Sequence, residues 1–256
     1  MNMSKLIFRC SAVLVLLCAL GGSVHAGEFL VYESGTSQNA VAAAMTALGY
    51  TFDVRNAATP VTAADLASHE ALVVGWAAGG IDMSGLNPAL LSAGITGNRL
   101  LTGHDADYHT AVGVAAAATL MDRYVQFAAA DVGPGLLAFP VFASDPFPYL
   151  PAAWGIASFD SLISETVTQI TADGVASGLY TGLTPANLSN WGQSFHAGFT
   201  AWGPDFKAFE IGTPPDGTFV TIGTTVTPVT IPAPGALLLA ALGSSVVAWM
   251  RRRRSL

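Results

Sequence analysis

Short, unbroken apolar runs recur along the first part of the chain, separated by segments with helical spacing. Glu28-Phe29-Leu30-Val31-Tyr32 breaks at Ser34-Gly35, and Ala71 to Trp76 runs into Ala77-Ala78-Gly79-Gly80. Tyr50 to Val54, Asn98 to Thr102 and Gly135 to Phe142 read as three more strands, the first two with polar residues among the apolar ones. A strand that is apolar on both sides is covered on both faces, which points to a parallel sheet with crossover helices. The helices predicted between the strands are Ser37 to Leu48, capped by Ser37 and stopped at Gly49, and Ala63 to Ser68 behind a Thr62 cap. Leu86 to Leu91 and a long alanine-rich stretch from Thr110 to Ala130 complete the set. The pattern predicts an α/β domain: a three-layer, open, mostly parallel sheet with helices on both faces. Beyond Asp145 the signal is less regular. Pro146, Pro148 and Pro151 mark a loop, Ser161 to Ile170 reads as strand or helix, and Thr218 to Thr227 reads as a late strand. Trp191, Phe195, His196, Phe199 and Trp202 recur at helical spacing, which predicts a buried helix face in preference to a sugar-stacking surface.

The two ends differ from this body. Lys5 and Arg9 precede an apolar run from Ser11 to Leu20, and Gly21-Gly22-Ser23-Val24-His25-Ala26 follows. That is the layout of a cleavable signal peptide over residues 1–26, with a mature start at Gly27. Both cysteines, Cys10 and Cys18, fall inside it, so residues 27–227 carry no thiol and have no disulfide, cysteine nucleophile or cysteine metal site. Of ten basic residues only Arg55, Arg99, Arg123 and Lys207 belong to the body, against all seventeen acids. So acidic a surface argues against nucleic acid or anionic lipid as its partner.

The other end, residues 228–256, has three parts in fixed order. Prolines extend the first part, Gly235 to Met250 gives about 24 Å of apolar helix at 1.5 Å per residue, and Arg251, Arg252, Arg253 and Arg254 hold its end on the cytoplasmic side. The segment resembles the PEP-CTERM sorting signal of Gram-negative bacteria. Pro232 and Pro234 match that motif's prolines, and Ala233 stands where glutamate is usual. The resemblance implies a single membrane helix in transit, a signal peptidase and an exosortase-like enzyme as partners, and removal of the tail on transfer from the inner membrane. It implies a final place at the cell surface or in the exopolysaccharide matrix.

The body is similar to the class I glutamine amidotransferase-like superfamily and its trehalose-utilisation-type relatives. The residues that carry the similarity are Gly75-Trp76, Gly103-His104-Asp105 and Asn190-Trp191-Gly192-Gln193-Ser194-Phe195-His196. It implies a flavodoxin-like sheet. Those enzymes set a cysteine on a sharp turn after a central strand; the matching turn here, Thr102-Gly103-His104-Asp105-Ala106, has none, which excludes their mechanism.

Gly103-His104-Asp105-Ala106-Asp107-Tyr108-His109 is the most chemically suggestive stretch, because it follows a predicted strand at the carboxyl edge where α/β sheets place their sites. His104, Asp105, Asp107 and His109 could ligate a divalent metal or supply a general base with an orienting acid, and His196 could reach them across the sheet edge. The competing reading has Asp105 and Asp107 capping the next helix. Ser34, Gly35 and Thr36, ahead of the first helix, are the candidate ligand-binding residues through their backbone N–H groups, although no G-x-G-x-x-G or phosphate-loop lysine accompanies them. No cofactor is expected. The sequence thus predicts an exported surface or matrix protein with a non-catalytic α/β domain that binds a glycan or another matrix component. The alternative is a secreted hydrolase of a saccharide or ester that uses the His/Asp cluster, which requires those side chains to converge.

Overall fold

A computed structural model describes residues 28–33, 40–76, 82–141, 145–164, 166–192, 194–213 and 218–224. The signal segment, the sorting tail and the Ser34-Gly35-Thr36 stretch lie outside the described residues. Among the described residues no helix is long and apolar enough to cross a membrane.

The apolar runs are strands: β1 (Glu28–Tyr32), β2 (Thr51–Arg55), β3 (Ala71–Val74), β4 (Arg99–Thr102) and β5 (Gly135–Ala138). All five are parallel, in the spatial order β2-β1-β3-β5-β4. Alternate side chains go to opposite faces, as the pleat requires. Phe29, Val31, Val73 and Leu137 pack with Val41 and Met45 of α1 (Val41–Leu48), while Leu30, Leu72, Val74 and Leu136 pack with Leu66 of α2 (Ala63–Ser68) and Leu91 of α3 (Pro88–Gly94). The sheet is therefore covered on both sides, which is why the inner strands β1, β3 and β5 lack polar alternation, whereas β2 at the edge alternates Thr51, Asp53 and Arg55 with Phe52 and Val54. A flavodoxin-like sheet has the order 2-1-3-4-5; here β5 sits between β3 and β4.

Local signals set several boundaries. Gly49 ends α1 in the left-handed conformation, and α2 opens on a reciprocal capping box between Thr62 and Asp65. Of the helix expected over Ser37 to Leu48, α1 is described from Val41, with Ala40 in the cap position, and its expected start at Ser37 lies outside the described residues. The long helix expected from Thr110 to Ala130 is two: α4 (Ala106–Ala111) and α5 (Ala115–Ala129). Between them Gly113 has φ of 92°, open to glycine at little cost, and the chain turns there. Leu120, Tyr124 and Phe127 of α5 then join α1 on the first face of the sheet.

The second half is antiparallel. It comprises β6 (Ala157–Ser164), β7 (Thr166–Ile170), β8 (Phe195–Ala201), β9 (Phe206–Thr213) and β10 (Thr218–Thr224), with a short helix α6 (Ala172–Ala176) after β7. β10 lies against β4 through Thr221–Gly223 and against β8 at Phe219, and it pairs with β9 along its whole length. The helical spacing read between Trp191 and Trp202 is overturned, because this segment contains strand β8, hydrogen-bonded to β6 and β10. Apolar residues three and four apart suit a helix, but here pairing to two neighbours decides the backbone. Trp202 packs edge-on against Phe219 with ring centres 5.0 Å apart, while Trp191 lies elsewhere, beside His104 and His109.

Candidate functional site

The turn after β4 is where the two halves of the sheet meet. Gly103 donates its N–H to the Val220 carbonyl at 2.7 Å and accepts the His196 N–H at 2.7 Å. A Cβ at this position would stand 1.9 Å from the Ala197 carbonyl oxygen, so only glycine lets β8 come this close. That contact carries His196 to the turn from 91 residues away.

Asp105 is the centre of the cluster. Its Oδ2 lies 3.2 Å from His196 Nε2 and 3.3 Å from His109 Nε2, the latter one helical turn along α4. All three groups are buried. Burial pulls the Asp105 carboxyl toward a higher pKa, but the hydrogen bonds and positive charge of His109 and His196 outweigh it and hold it below the ordinary carboxylate value. Asp105 also occupies the N-cap position of α4, yet its side chain makes no cap hydrogen bond. The capping expectation fails for it: the carboxylate is turned to the two imidazoles, which share Oδ2, and Oδ1 has no hydrogen-bond partner among the described residues.

Asp107 faces another way. Its Oδ2 accepts the Trp76 N–H at 2.8 Å, and its Oδ1 has no hydrogen-bond partner among the described residues. Burial, reinforced by the nearby charge of Asp105, pushes its pKa up to about 8, so it is a neutral acid at pH 7. Two carboxyl groups two residues apart are therefore held in opposite protonation states, a pattern that separates acid from base in catalytic sites. Because the folded-state value lies above the ordinary 3.8, Asp107 favours the fold most below about pH 4, and that contribution is lost as pH rises toward 8. Asp107→Asn, which mimics the neutral acid, is expected to gain about 1 kcal/mol on the natural protein between pH 7 and pH 8. Urea unfolding at both pH values measures this, and parallel losses in the two proteins would contradict it.

His104 belongs to a neighbouring buried network. Its Nδ1 donates to the Ser194 carbonyl at 2.7 Å and its Nε2 is 3.2 Å from Glu210 Oε2 on β9. Glu210 also accepts the Thr221 hydroxyl, which stands 3.0 Å from Thr102 Oγ1 and 3.3 Å from the Tyr124 hydroxyl. Burial alone would lower the His104 pKa, but the Glu210 charge prevails and raises it, leaving a charged pair inside the sheet. Aromatic rings frame both networks. Trp76, just past β3, lies 5.3 Å from both His196 and Tyr108, and Trp191 lies 5.3 Å from His104 and 5.5 Å from His109. Tyr108 is exposed and Trp191 partly so.

Of the five predicted residues, the fold thus joins Asp105, His109 and His196, turns His104 to Glu210, and sets Asp107 against Trp76. Among the described residues these five do not bring three ligand atoms within 4.8 Å of one another, so the metal reading of the cluster gains no support from its geometry. Glu210 and Thr221 were not foreseen. The one available signal was a lone acid flanked by apolar residues in Phe206-Lys207-Ala208-Phe209-Glu210-Ile211.

Fold and site together define an α/β domain with a buried imidazole–carboxylate centre at the carboxyl ends of its parallel strands. Comparison with protein-family models, with curated proteins and with solved structures finds no match to this chain.

Proposed function

We propose that the chain is an exported cell-surface or extracellular-matrix protein whose α/β domain hydrolyses a saccharide or ester by general acid–base chemistry. The apolar, arginine-ended tail with Pro232-Ala233-Pro234 and the amino-terminal signal layout support the delivery, through signal peptidase, the inner membrane and an exosortase-like enzyme. A relationship to flavodoxin-like and amidotransferase-like domains is supported by the β2-β1-β3 order and the two helical layers; the exchanged positions of β4 and β5 count against it.

The observation that carries the chemistry is one buried carboxylate oxygen within 3.3 Å of two imidazoles, beside a second carboxyl that stays protonated at pH 7. Ionised Asp105 orients the His109–His196 pair; the imidazole of the two that is uncharged removes a proton from water, and Asp105 stabilises the positive charge so formed. The hydroxide equivalent adds to the substrate carbon, the bond from that carbon to the leaving oxygen breaks, and the imidazolium formed in the first step returns its proton to that oxygen. No cysteine takes part, which sets this apart from the amidotransferase mechanism.

A second reading keeps the same surface as a glycan-binding face without catalysis, favoured by exposed Tyr108 and partly exposed Trp191. One set of measurements separates the two. The exported protein should have an intact mass that begins at Gly27 and lacks Arg251 to Arg254. The full chain should turn over at least one member of a panel of nitrophenyl esters and glycosides, with Asp105→Asn reducing kcat/KM by about 100-fold or more. Absence of turnover across the panel, with glycan binding that falls in Tyr108→Ala, would leave the binding reading in its place.

A further inference from the structure

The opposite, amino-terminal edge of the sheet carries a separate polar cluster that the acid–base reading does not use. It comprises Glu28 at the start of β1, Asp53 on β2 and His69 between α2 and β3. One donor atom from each lies within 4.8 Å of the other two. The parallel register places Glu28 beside Thr51 and Leu30 beside Asp53, so Glu28 and Asp53 share the face that α2 covers. His69 follows α2 directly.

The state of His69 is fixed by its backbone partner. The side chain is 5% exposed, and Nδ1 lies 2.6 Å from the Asp65 carbonyl oxygen and 3.1 Å from Ser68 Oγ. A carbonyl can only accept, so Nδ1 carries a proton and donates. In the neutral ring Nε2 is then a lone pair. It has no hydrogen-bond partner among the described residues and stands 3.7 Å from Asp53 Oδ2. A lone pair facing a carboxylate is repelled unless a proton or a metal cation lies between them. Arg55 is 3.9 Å from Asp53 but is committed to Asp65 at 2.6 Å, where its hydrogen bond holds the Asp65 carboxyl down to about 2. Glu28 and Asp53 are thus left without a close arginine or lysine partner of their own among the described residues. An imidazole oriented through its second nitrogen by a backbone carbonyl, with two carboxylates beside it, is the donor set of a first-row divalent metal.

We infer that Glu28, Asp53 and His69 form a binding site for a divalent transition-metal ion of the zinc class. It is independent of the chemistry at Asp105. Calorimetric titration of the full chain, purified without a metal-binding tag and stripped with chelator, tests it with zinc chloride. One site per chain is expected, weakened tenfold or more by His69→Ala and by Asp53→Asn. Asp53 is half exposed, so its variant keeps the test informative should His69→Ala fail to fold. The inference is overturned by the absence of zinc binding, by unchanged affinity in Asp53→Asn, or by a single site that His196→Ala abolishes and His69→Ala leaves intact.

Discussion

Asp105→Ala is expected to lower the unfolding free energy by about 3–5 kcal/mol at pH 6 to 7, the range for removing one partner of a buried ion pair. The cost arises on the imidazoles that remain. His109 and His196 both aim Nε2 at the same carboxylate oxygen, and both are buried with it, so neither can exchange the lost partner for bulk water. Asp105→Asn keeps the volume and removes only the charge, and its loss should be smaller. The pH dependence has a definite sign. The Asp105 carboxyl lies below its ordinary value in the folded protein, so its contribution is present above about pH 4 and disappears as pH falls through the depressed value. The difference between natural protein and variant should therefore close in strong acid, and urea titrations at pH 3 and pH 7 measure it. A loss under 1 kcal/mol at pH 7 would mean that the two imidazoles do not depend on Asp105.

Gly103→Ala is the second large effect, expected to cost about 3 kcal/mol, at the upper end for added volume in a packed interior. The added methyl meets backbone and not a movable side chain: the Ala197 carbonyl oxygen at 1.9 Å and its carbon at 2.8 Å. β8 must retreat, which strains the Gly103–Val220 and His196–Gly103 hydrogen bonds and draws His196 away from Asp105. For a domain of this size the midpoint should fall by about 6–12 °C. Imidazole nitrogen signals from His196 should move while those of His69, on the other edge, stay in place. An alanine variant with the natural midpoint and unmoved His196 signals would refute the close approach.

These two residues also mark how far the sequence could be read. The stretch from Gly103 to His109 was recognisable as a site because it is local: a glycine, two imidazoles and two carboxyls follow an apolar strand within a few residues. What each would do was not recognisable. Asp105 and Asp107 have the same side chain and the same candidate role as caps, and only burial and neighbours make one a charged partner of two histidines and the other a neutral acid. His196 was a candidate without a location, placed on a helix face that is a strand. Glu210, which sets the charge state of His104, gave no signal beyond its presence among apolar residues.

By itself the chain dictated what short-range chemistry dictates: five strands with helices between them, the Thr62 cap, the Gly49 stop and a polar turn after β4. Propensity, capping and hydrophobic period act over a few residues, so they survive in the bare sequence. The exchanged order of β4 and β5, the antiparallel half and the meeting of Asp105 with His196 were decided only in three dimensions. They depend on pairing between segments tens of residues apart, and protonation states follow from a burial that exists only once those segments have packed.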